Sequence, residues 1–549
     1  MKKIKFIGLF TATLFAASFA FADDFDFGDD FGGDFGGDFG DSSASFAGGA
    51  LEVNGEAQID FRSYFDDEDE YGLPVGEWKT DTNPKGKINL KYSNSAVSAE
   101  AKFAFSKDVL ENYREDVIDE LTLESYLGNF VVQVGKMKVV WGKGDKLHAV
   151  DNFNANDYTD FIIPDYIDRR IAEPMIRVLY NVPKDVGPFS SSRFELVWTP
   201  TMTADRYASS GRWVPAQVKG LEKSLKRFAT DSISNTVEGL EENRTKLAVA
   251  KTGYINAENL YIAATNDADK AKYLAQMQSY DSAAQTAQEN LTALNTTYLS
   301  QLSNSSSLAD NLYPDTKQLK YMQAGARFTT TTGSLDWGLS YYVGRDKRAS
   351  FDKSRIDSFV NTYLSNGSAD DDDKFIDYDF LQVFGLEAAK TFGAYNFRAE
   401  GAYNLTKDTA GDDPKVHNNS VGWVFGFDRD MPLSELNVNI QGQGKHILHH
   451  DKIDDNEYDT ENGTFANDIK IVLNISDSWN HGKVKPEVSA VYGFQHYDLI
   501  VMPKITWYVS DGLEFCAKGM YMASYKSDKT EFEGWHNNGF VQLGAKYTF

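Results

Sequence analysis

The sequence predicts an all-β fold, an antiparallel transmembrane β-barrel of about 18 strands (roughly 16 to 20) with an inserted α-helical hairpin. Three observations lead to this fold class. Apolar and polar residues alternate with a period of two in many segments of about ten residues. The connections between these segments are alternately short and long. Residues 215–314 replace the alternation with a helical period.

The N-terminal residues predict a secreted chain with a flexible start. Residues 1–22 contain a lysine-rich beginning, an apolar run and an A-x-A cleavage site that ends at Ala22, as in a secretory signal peptide. Residues 23–49 repeat Phe among many Gly and Asp residues, and this composition cannot bury enough apolar surface to fold. We expect this stretch to be a disordered tail.

Alternation then fills residues 50–214 and 315–549, which we assign to the first and second groups of barrel strands. Between Leu51 and Phe61, for example, apolar side chains occupy one face and charged or amide side chains the other. This pattern fits a barrel that is wide enough to have lipid outside and an aqueous lumen inside. The charges expected to face the lumen are Glu56, Lys91, Lys102, Arg177, Arg398 and Glu400.

The lengths of the connections predict the orientation of the barrel. Residues 93–96 and 391–394 are short linkers, whereas 345–377 and 449–468 are long ones. Outer-membrane barrels have short periplasmic turns and long outer loops. We therefore expect an integral outer-membrane protein with a periplasmic N-terminal tail and extracellular long loops.

Composition excludes several other classes of protein. A formal net charge of −26 repels nucleic-acid phosphates, so no nucleic-acid partner is expected. A single cysteine excludes an internal disulfide framework. Beyond the signal, no run of about 18 apolar residues marks a membrane-spanning helix.

The chain ends on QLGAKYTF, in which the residues of interest are Gln542, Gly544, Tyr547 and Phe549. This ending resembles the C-terminal assembly signal of outer-membrane barrels. The resemblance implies two partners, outer-membrane lipid and the barrel-assembly machinery that reads such a signal.

Residues 215–314 predict a helical hairpin. Apolar residues from Tyr273 to Tyr298 step alternately by four and three, which is a heptad seam, and a second apolar stripe runs from Leu221 to Leu247. Two stripes favour an antiparallel pair of helices that bury one face on the other. Because the insert follows an outward-going strand, we expect it outside or folded into the barrel mouth. It is either structural decoration or a lid or partner-binding element.

The connection from Val139 to Arg170 carries the most distinctive pattern. The candidate constriction residues in it are Trp141, Asp145, Asp151, Asn154, Asp157, Arg169 and Arg170. The order Trp-Gly, Asp, Asp, Asn, Asp resembles an uncharacterised family of porin-like outer-membrane proteins and, more distantly, alginate-export-type barrels, although Ala155 stands where that family usually has Pro. The resemblance implies a loop that folds inward and narrows the pore. The alternative is a loop packed on the rim.

The sequence predicts neither catalysis nor a metal site nor a cofactor. The histidines within residues 445–451 end a strand in an exposed acidic loop, which is a poor setting for a metal site. Outer-membrane phospholipases use a His-x-Ser-Asn-Gly type motif, and the stretch His536-Asn537-Asn538-Gly539 has no serine.

The leading functional hypothesis is a porin-like channel or transporter that passes small solutes across the outer membrane, with selectivity set at a constriction. One alternative is a surface-exposed structural or adhesive protein that the barrel anchors. The other is a carrier for hydrophobic solutes, in which the tail or the 141–170 loop acts as a hatch.

Overall fold

The computed structural model describes residues 44–46, 49–65, 80–145, 147–453, 459–526, 530–532, 535 and 538–549. The predicted signal peptide, most of the predicted tail and the first half of the motif at 536–539 lie outside these residues.

The barrel strands are β1 Gly49–Tyr64, β2 Thr80–Ser93, β3 Val97–Ser106, β4 Ile118–Leu127, β5 Phe130–Met137, β6 Glu173–Asn181, β7 Phe189–Thr199, β8 Gln323–Thr332, β9 Leu335–Phe351, β10 Ile376–Phe392, β11 Tyr395–Leu405, β12 Ser420–Asp430, β13 Asn437–Ile447, β14 Asn467–Ser476, β15 Val484–Gly493, β16 Asp498–Ser510, β17 Leu513–Ser524 and β18 Phe540–Thr548. The helices are α1 Lys107–Asn112, α2 Tyr166–Arg169, α3 Ala216–Ala263, α4 Asp267–Asn304 and α5 Ile356–Asn366.

Over the described residues, these eighteen strands form one closed antiparallel barrel, which confirms the predicted fold class. Each strand pairs with the next one in the chain. The ring closes between β1 and β18, from Glu56 opposite Thr548 to Tyr64 opposite Phe540. A closed ring leaves no strand edge with unpaired backbone groups, and this is the condition for placing strands in lipid.

The two faces of the strands differ as the period of two predicts. Outward side chains are apolar and exposed; Leu121, Leu196 and Leu543, for example, are 51%, 57% and 58% exposed. Inward side chains are mostly polar, and Lys470 on β14 and Gln542 on β18 are 2% and 8% exposed. An apolar outer surface of this kind suits a lipid environment.

The two-residue turns lie at one end of the barrel, and the longest connections lie at the other end, together with the four-residue connection 494–497 between β15 and β16. Gly128, Gly333 and Gly393 lie in two-residue turns with φ of 65°, 64° and 63°, a conformation that glycine adopts without strain and that tight hairpins require. We call this end the turn end. The opposite end, the loop end, carries the long connections, including residues 138–172 and 406–419.

The end of the predicted tail forms a short strand. The N–H and C=O groups of Phe549 both bond to Gly55 at 2.9 Å, so β18 does not reach the first residues of β1. Residues Ala44–Phe46 pair antiparallel with that part of β1, with Ala44 opposite Leu51. The pairing covers a strand edge that would otherwise be open, so this part of the chain does not follow the disorder predicted for 23–49.

Helices α3 and α4 form the antiparallel hairpin that the two stripes predict. The side chain of Gln301 donates to Ser232 at 3.1 Å, and that of Asn290 donates to Asn243 at 3.2 Å. The residue numbers in each pair add to the same total, as an antiparallel register requires. Among the helices of the described residues, none has the length and apolar character needed to cross a membrane.

A helix that the sequence analysis missed belongs with this hairpin. Residues 219–314 and 352–377 form one compact unit, and the barrel residues form another. Within the first unit, Asn304 donates to the C=O of Leu364 on α5 at 3.0 Å, and Gly367 ends α5 with φ of 76°. Helix α5 is short, so its apolar spacing was too brief to stand out inside a long loop.

Candidate functional site inside the barrel

Residues 138–172, the connection from β5 to β6, form what we call the lumen segment. Its groups bond to inward-facing side chains on β1, β2, β7, β11, β13 and β17, namely Arg62, Lys87, Glu195, Glu400, Asn439 and Lys518. These strands lie all around the ring. A segment that bonds to walls on opposite sides of the barrel crosses its lumen.

Glu400 on β11 holds the first half of the lumen segment. Its carboxylate accepts the backbone N–H groups of Lys143 at 2.7 Å, Gly144 at 2.5 Å and Ala149 at 2.6 Å, and lies 3.2 Å from Nδ1 of His148. Hydrogen bonds from backbone N–H groups to a carboxylate are charge-assisted and strong. One wall residue therefore holds the segment at two places, residues 143–144 and residues 148–149.

Two ion pairs hold the second half against β1 and β2. Nη1 of Arg62 lies 2.6 Å from Oδ1 of Asp160, and Nζ of Lys87 lies 2.8 Å from Oδ1 of Asp168. Burial opposes ionisation of both carboxyl groups, but the neighbouring cations outweigh it and lower the pKa of Asp160 and of Asp168. Both carboxylates are therefore charged at neutral pH, and both pairs remain intact.

Two of the predicted constriction residues bond directly to the wall. Nε1 of Trp141 donates to Glu195 at 3.0 Å. Asp145 accepts from Asn439 and lies 3.4 Å from Nη1 of Arg398. These contacts attach the beginning of the lumen segment to β7, β11 and β13.

Three others hold the segment together rather than face open space. The side chain of Asn154 donates to the C=O groups of Met137 at 3.1 Å and Ile171 at 2.9 Å, which ties the two ends of the segment to each other. Arg169 and Arg170, predicted to lie at the constriction, are only 1% and 3% exposed. Their position excludes direct contact with an open passage in this conformation.

The remaining two, Asp151 and Asp157, each pair with an arginine. Asp151 lies 2.6 Å from Nη2 of Arg170, and Asp157 lies 2.9 Å from Nη1 of Arg206. Arg206 belongs to a second inward connection, residues 200–214, that the sequence analysis did not single out. It lies between a strand end and the helical insert and has no alternation or motif of its own.

The predicted lumen-facing charges all occupy inward positions on their strands, but their exposure differs from one side of the barrel to the other. On the side of β1 to β4, the side chains of Glu56, Lys87 and Lys102 are 25%, 45% and 40% exposed, and Asp168 beside them is 43% exposed. On β11, the side chain of Glu400 is 0% exposed. We call the accessible inner face of β1 to β4, with Asp168, the aqueous lane.

The inner wall from β12 to β18 carries apolar side chains, contrary to the prediction of a wholly aqueous interior. The ring of Phe161 stacks on Trp213, with centroids 5.0 Å apart, and meets Trp535 edge-on, also at 5.0 Å. The inner wall below these rings is apolar, comprising Val424, Val472, Val491, Ile500, Met502, Met520, Met522 and Phe540. We call these residues the apolar wall cluster. The feature of the sequence that indicates this cluster is the run Leu499–Met502, which is apolar on both faces of its strand.

The residues of the C-terminal ending divide between the two faces. Tyr547 and Phe549 point outward and are 51% and 54% exposed. Gln542 points inward and accepts from Nε of Arg62 at 2.8 Å. A side chain at Gly544 would come within 2.5 Å of Asp60. The role of these residues in assembly stays a prediction.

One cluster of potential metal ligands occurs among the described residues, and the sequence analysis missed it. Asp468, His496 and Glu531 bring their ligand atoms within 4.8 Å of one another. Nζ of Lys470 lies 2.7 Å from Glu531 and 3.5 Å from Asp468. The ammonium group thus supplies the positive charge that these carboxylates need. The histidines of residues 445–451 are not part of this cluster.

No family model matches the chain, and no curated protein matches it in sequence. Among solved structures, a triple mutant of the Rhodopseudomonas blastica porin aligns over 91% of this chain and 100% of its own, with 10% identity and a TM-score of 0.34. A loop-deletion mutant of OmpT, an outer membrane protein of Vibrio cholerae, aligns over 91% and 100%, with 8% identity and a TM-score of 0.33. Likeness of this degree identifies no function, and the family resemblance of Val139–Arg170 stays a prediction.

Proposed function

We propose that the protein is a porin-like channel, integral to the outer membrane, through which small solutes diffuse along the aqueous lane. In this proposal the long loops are extracellular, the short turns and the N-terminal tail are periplasmic, and the outward Phe549 belongs to the signal read by the assembly machinery. No catalytic step is involved.

The observation that carries this proposal is the unequal filling of the lumen. Lys87 and Lys102 remain 45% and 40% exposed on the inner face of β2 and β3, whereas Lys470, on the inner face of β14, is 2% exposed. A closed, apolar-coated barrel supplies the lipid contact. Accessible charges on one inner wall supply a wet path beside the lumen segment, and pore selectivity depends on such charges.

The lane carries both signs of charge. Lys102 lies 2.9 Å from Glu120, and Lys87 lies 3.5 Å from Glu56. Paired charges of this kind keep a path hydrated without favouring one ion strongly. Changing the sign of one of them should therefore alter ion selectivity.

Conductance of the purified protein in planar bilayers tests the proposal. We expect discrete conductance steps, and we expect Lys102→Glu to shift the reversal potential toward cation selectivity. The matched control is Lys246→Glu on α3, a 58% exposed side chain outside the barrel strands, which should leave the reversal potential unchanged. Folded, heat-modifiable protein that inserts but gives no steps would contradict the channel and favour the anchoring function.

A further inference from the structure

A polar cavity of about 130 Å³ lies at the loop end, between the lumen segment and the inner wall of β9 to β13. A cavity of this size holds several water molecules or a small solute group. It lies on the far side of the lumen segment from the aqueous lane. The charges around it differ from those of the chain as a whole.

Cationic side chains outnumber carboxylates around this cavity. The cations are Arg170, Arg345, Lys347, Arg348 and Lys445, and the carboxylates are Asp151, Asp205 and Asp346. The chain carries a net charge of −26, so a local excess of positive charge runs against its composition. Such an excess attracts anions into the loop end.

Two of the carboxylates are engaged by two of the arginines. Asp151 lies 2.6 Å from Arg170, and Asp346 lies 2.7 Å from Arg348. The third carboxylate, Asp205, accepts the backbone N–H of Asn156 at 2.8 Å. The two ion pairs account for two of the five cations around the cavity.

Arg345 and Lys347 are held by neutral acceptors. Arg345 donates to the backbone C=O of Tyr378 at 3.0 Å, and Lys347 donates to the side-chain oxygen of Gln323. These neutral contacts fix the direction of both cations without cancelling their charge.

A neutral donor completes the lining. The side-chain nitrogen of Asn152 is buried and has no hydrogen-bond partner among the described residues. A buried donor without an acceptor costs free energy, and an oxygen atom of a bound anion would remove that cost. Fixed cations with an unsatisfied amide donor are the groups that bind oxyanions.

We propose that this cavity binds a small oxyanion, such as a carboxylate or phosphate group, at a site separate from the aqueous lane. Because the site lies apart from the proposed path of solutes, its binding is measurable without transport. Carboxylate and phosphate share the recognition chemistry, and separate titrations distinguish them.

The test is titration of the detergent-solubilised full chain with inorganic phosphate and with acetate by calorimetry. We expect saturable binding of at least one anion, and we expect Arg345→Gln with Lys347→Gln to weaken it about tenfold or more. Lys452→Gln, an exposed cation in the connection after β13, should leave binding unchanged.

The outcomes separate the two proposals. Conductance without saturable binding of either anion would overturn the anion site and leave the channel intact. Binding without conductance would support the site and contradict the channel. Equal binding by the wild type and by a double variant that shows normal heat-modifiable folding would assign the anion to another place and overturn this inference.

Discussion

Lys102 and Lys470 occupy inward positions on their strands, but they have different surroundings. Lys102 is 40% exposed on the aqueous lane, whereas Lys470 is 2% exposed and bonds to Glu531 at 2.7 Å. Removing Lys470 would leave the Asp468 carboxylate without its cation and the Glu531 carboxyl group without its donor; loss of one partner of a buried pair typically costs about 3–5 kcal/mol. A lysine on the lane, by contrast, contributes little to stability because water screens its pairs.

Glu531 gives this side of the barrel a predicted pH dependence. Burial raises the pKa of Glu531 from 4.5 to about 8; the charge of Lys470 opposes the rise and that of Asp468 adds to it. Between these two values the folded state holds a proton that the unfolded state has lost. The free energy of unfolding should therefore fall as pH rises from about 4.5 to 8.

Urea unfolding of the protein in micelles at several pH values measures this effect. Glu531→Gln imitates the protonated acid, so its unfolding free energy should vary less with pH than that of the wild type. Glu238→Gln, an exposed residue on α3, is the control and should keep the wild-type dependence. Parallel pH profiles for Glu531→Gln and the wild type would refute the assignment.

At the level of elements, the lumen segment depends on one wall residue more than on any other. Glu400 accepts three backbone N–H groups of the segment. In Glu400→Gln, one oxygen becomes an NH₂ group that cannot accept, so backbone donors lose their partner at about 1–3 kcal/mol. We expect the segment to detach locally, which should appear as noisier open-channel current and as faster proteolysis within residues 143–149.

Glu100→Gln is the matched control for this variant. Glu100 also faces the lumen, but its contact with Lys102 is 3.9 Å long and its side chain is 29% exposed. It should show the wild-type current and protease pattern. Open-channel noise and proteolysis at the wild-type level in Glu400→Gln would show that other contacts hold the segment.

Strands and the helical hairpin follow from periodicity, and the contents of the lumen do not. Alternation identifies the faces, so Ile471 and Lys470 could be assigned to opposite sides from the sequence. The contacts of Phe161 with Trp213 and Trp535 join three connections that are far apart in the sequence, and the spacing of these residues does not predict the contacts. The inward fold of residues 138–172 was expected, but the sequence does not indicate which wall residues it contacts.

For the whole molecule, the lumen is divided rather than uniformly wet. The apolar wall cluster packs one side, and the lumen segment crosses the middle. The aqueous lane leaves the inner face of β1 to β4 accessible. An 18-stranded ring is wide enough for a large pore. In the proposed channel, this filling sets the size of solute that passes, and the solutes pass along the lane.

Cysteine labelling of the lane tests that claim most directly. In a Cys516→Ser background, Lys102→Cys places a thiol on the inner face of β3, and Leu121→Cys places one on the lipid face of β4, where Leu121 is 51% exposed. A bulky, water-soluble thiol reagent added during planar-bilayer recording should lower the conductance step of Lys102→Cys and leave that of Leu121→Cys unchanged. A conductance step for Lys102→Cys that stays unchanged after complete labelling would contradict the account.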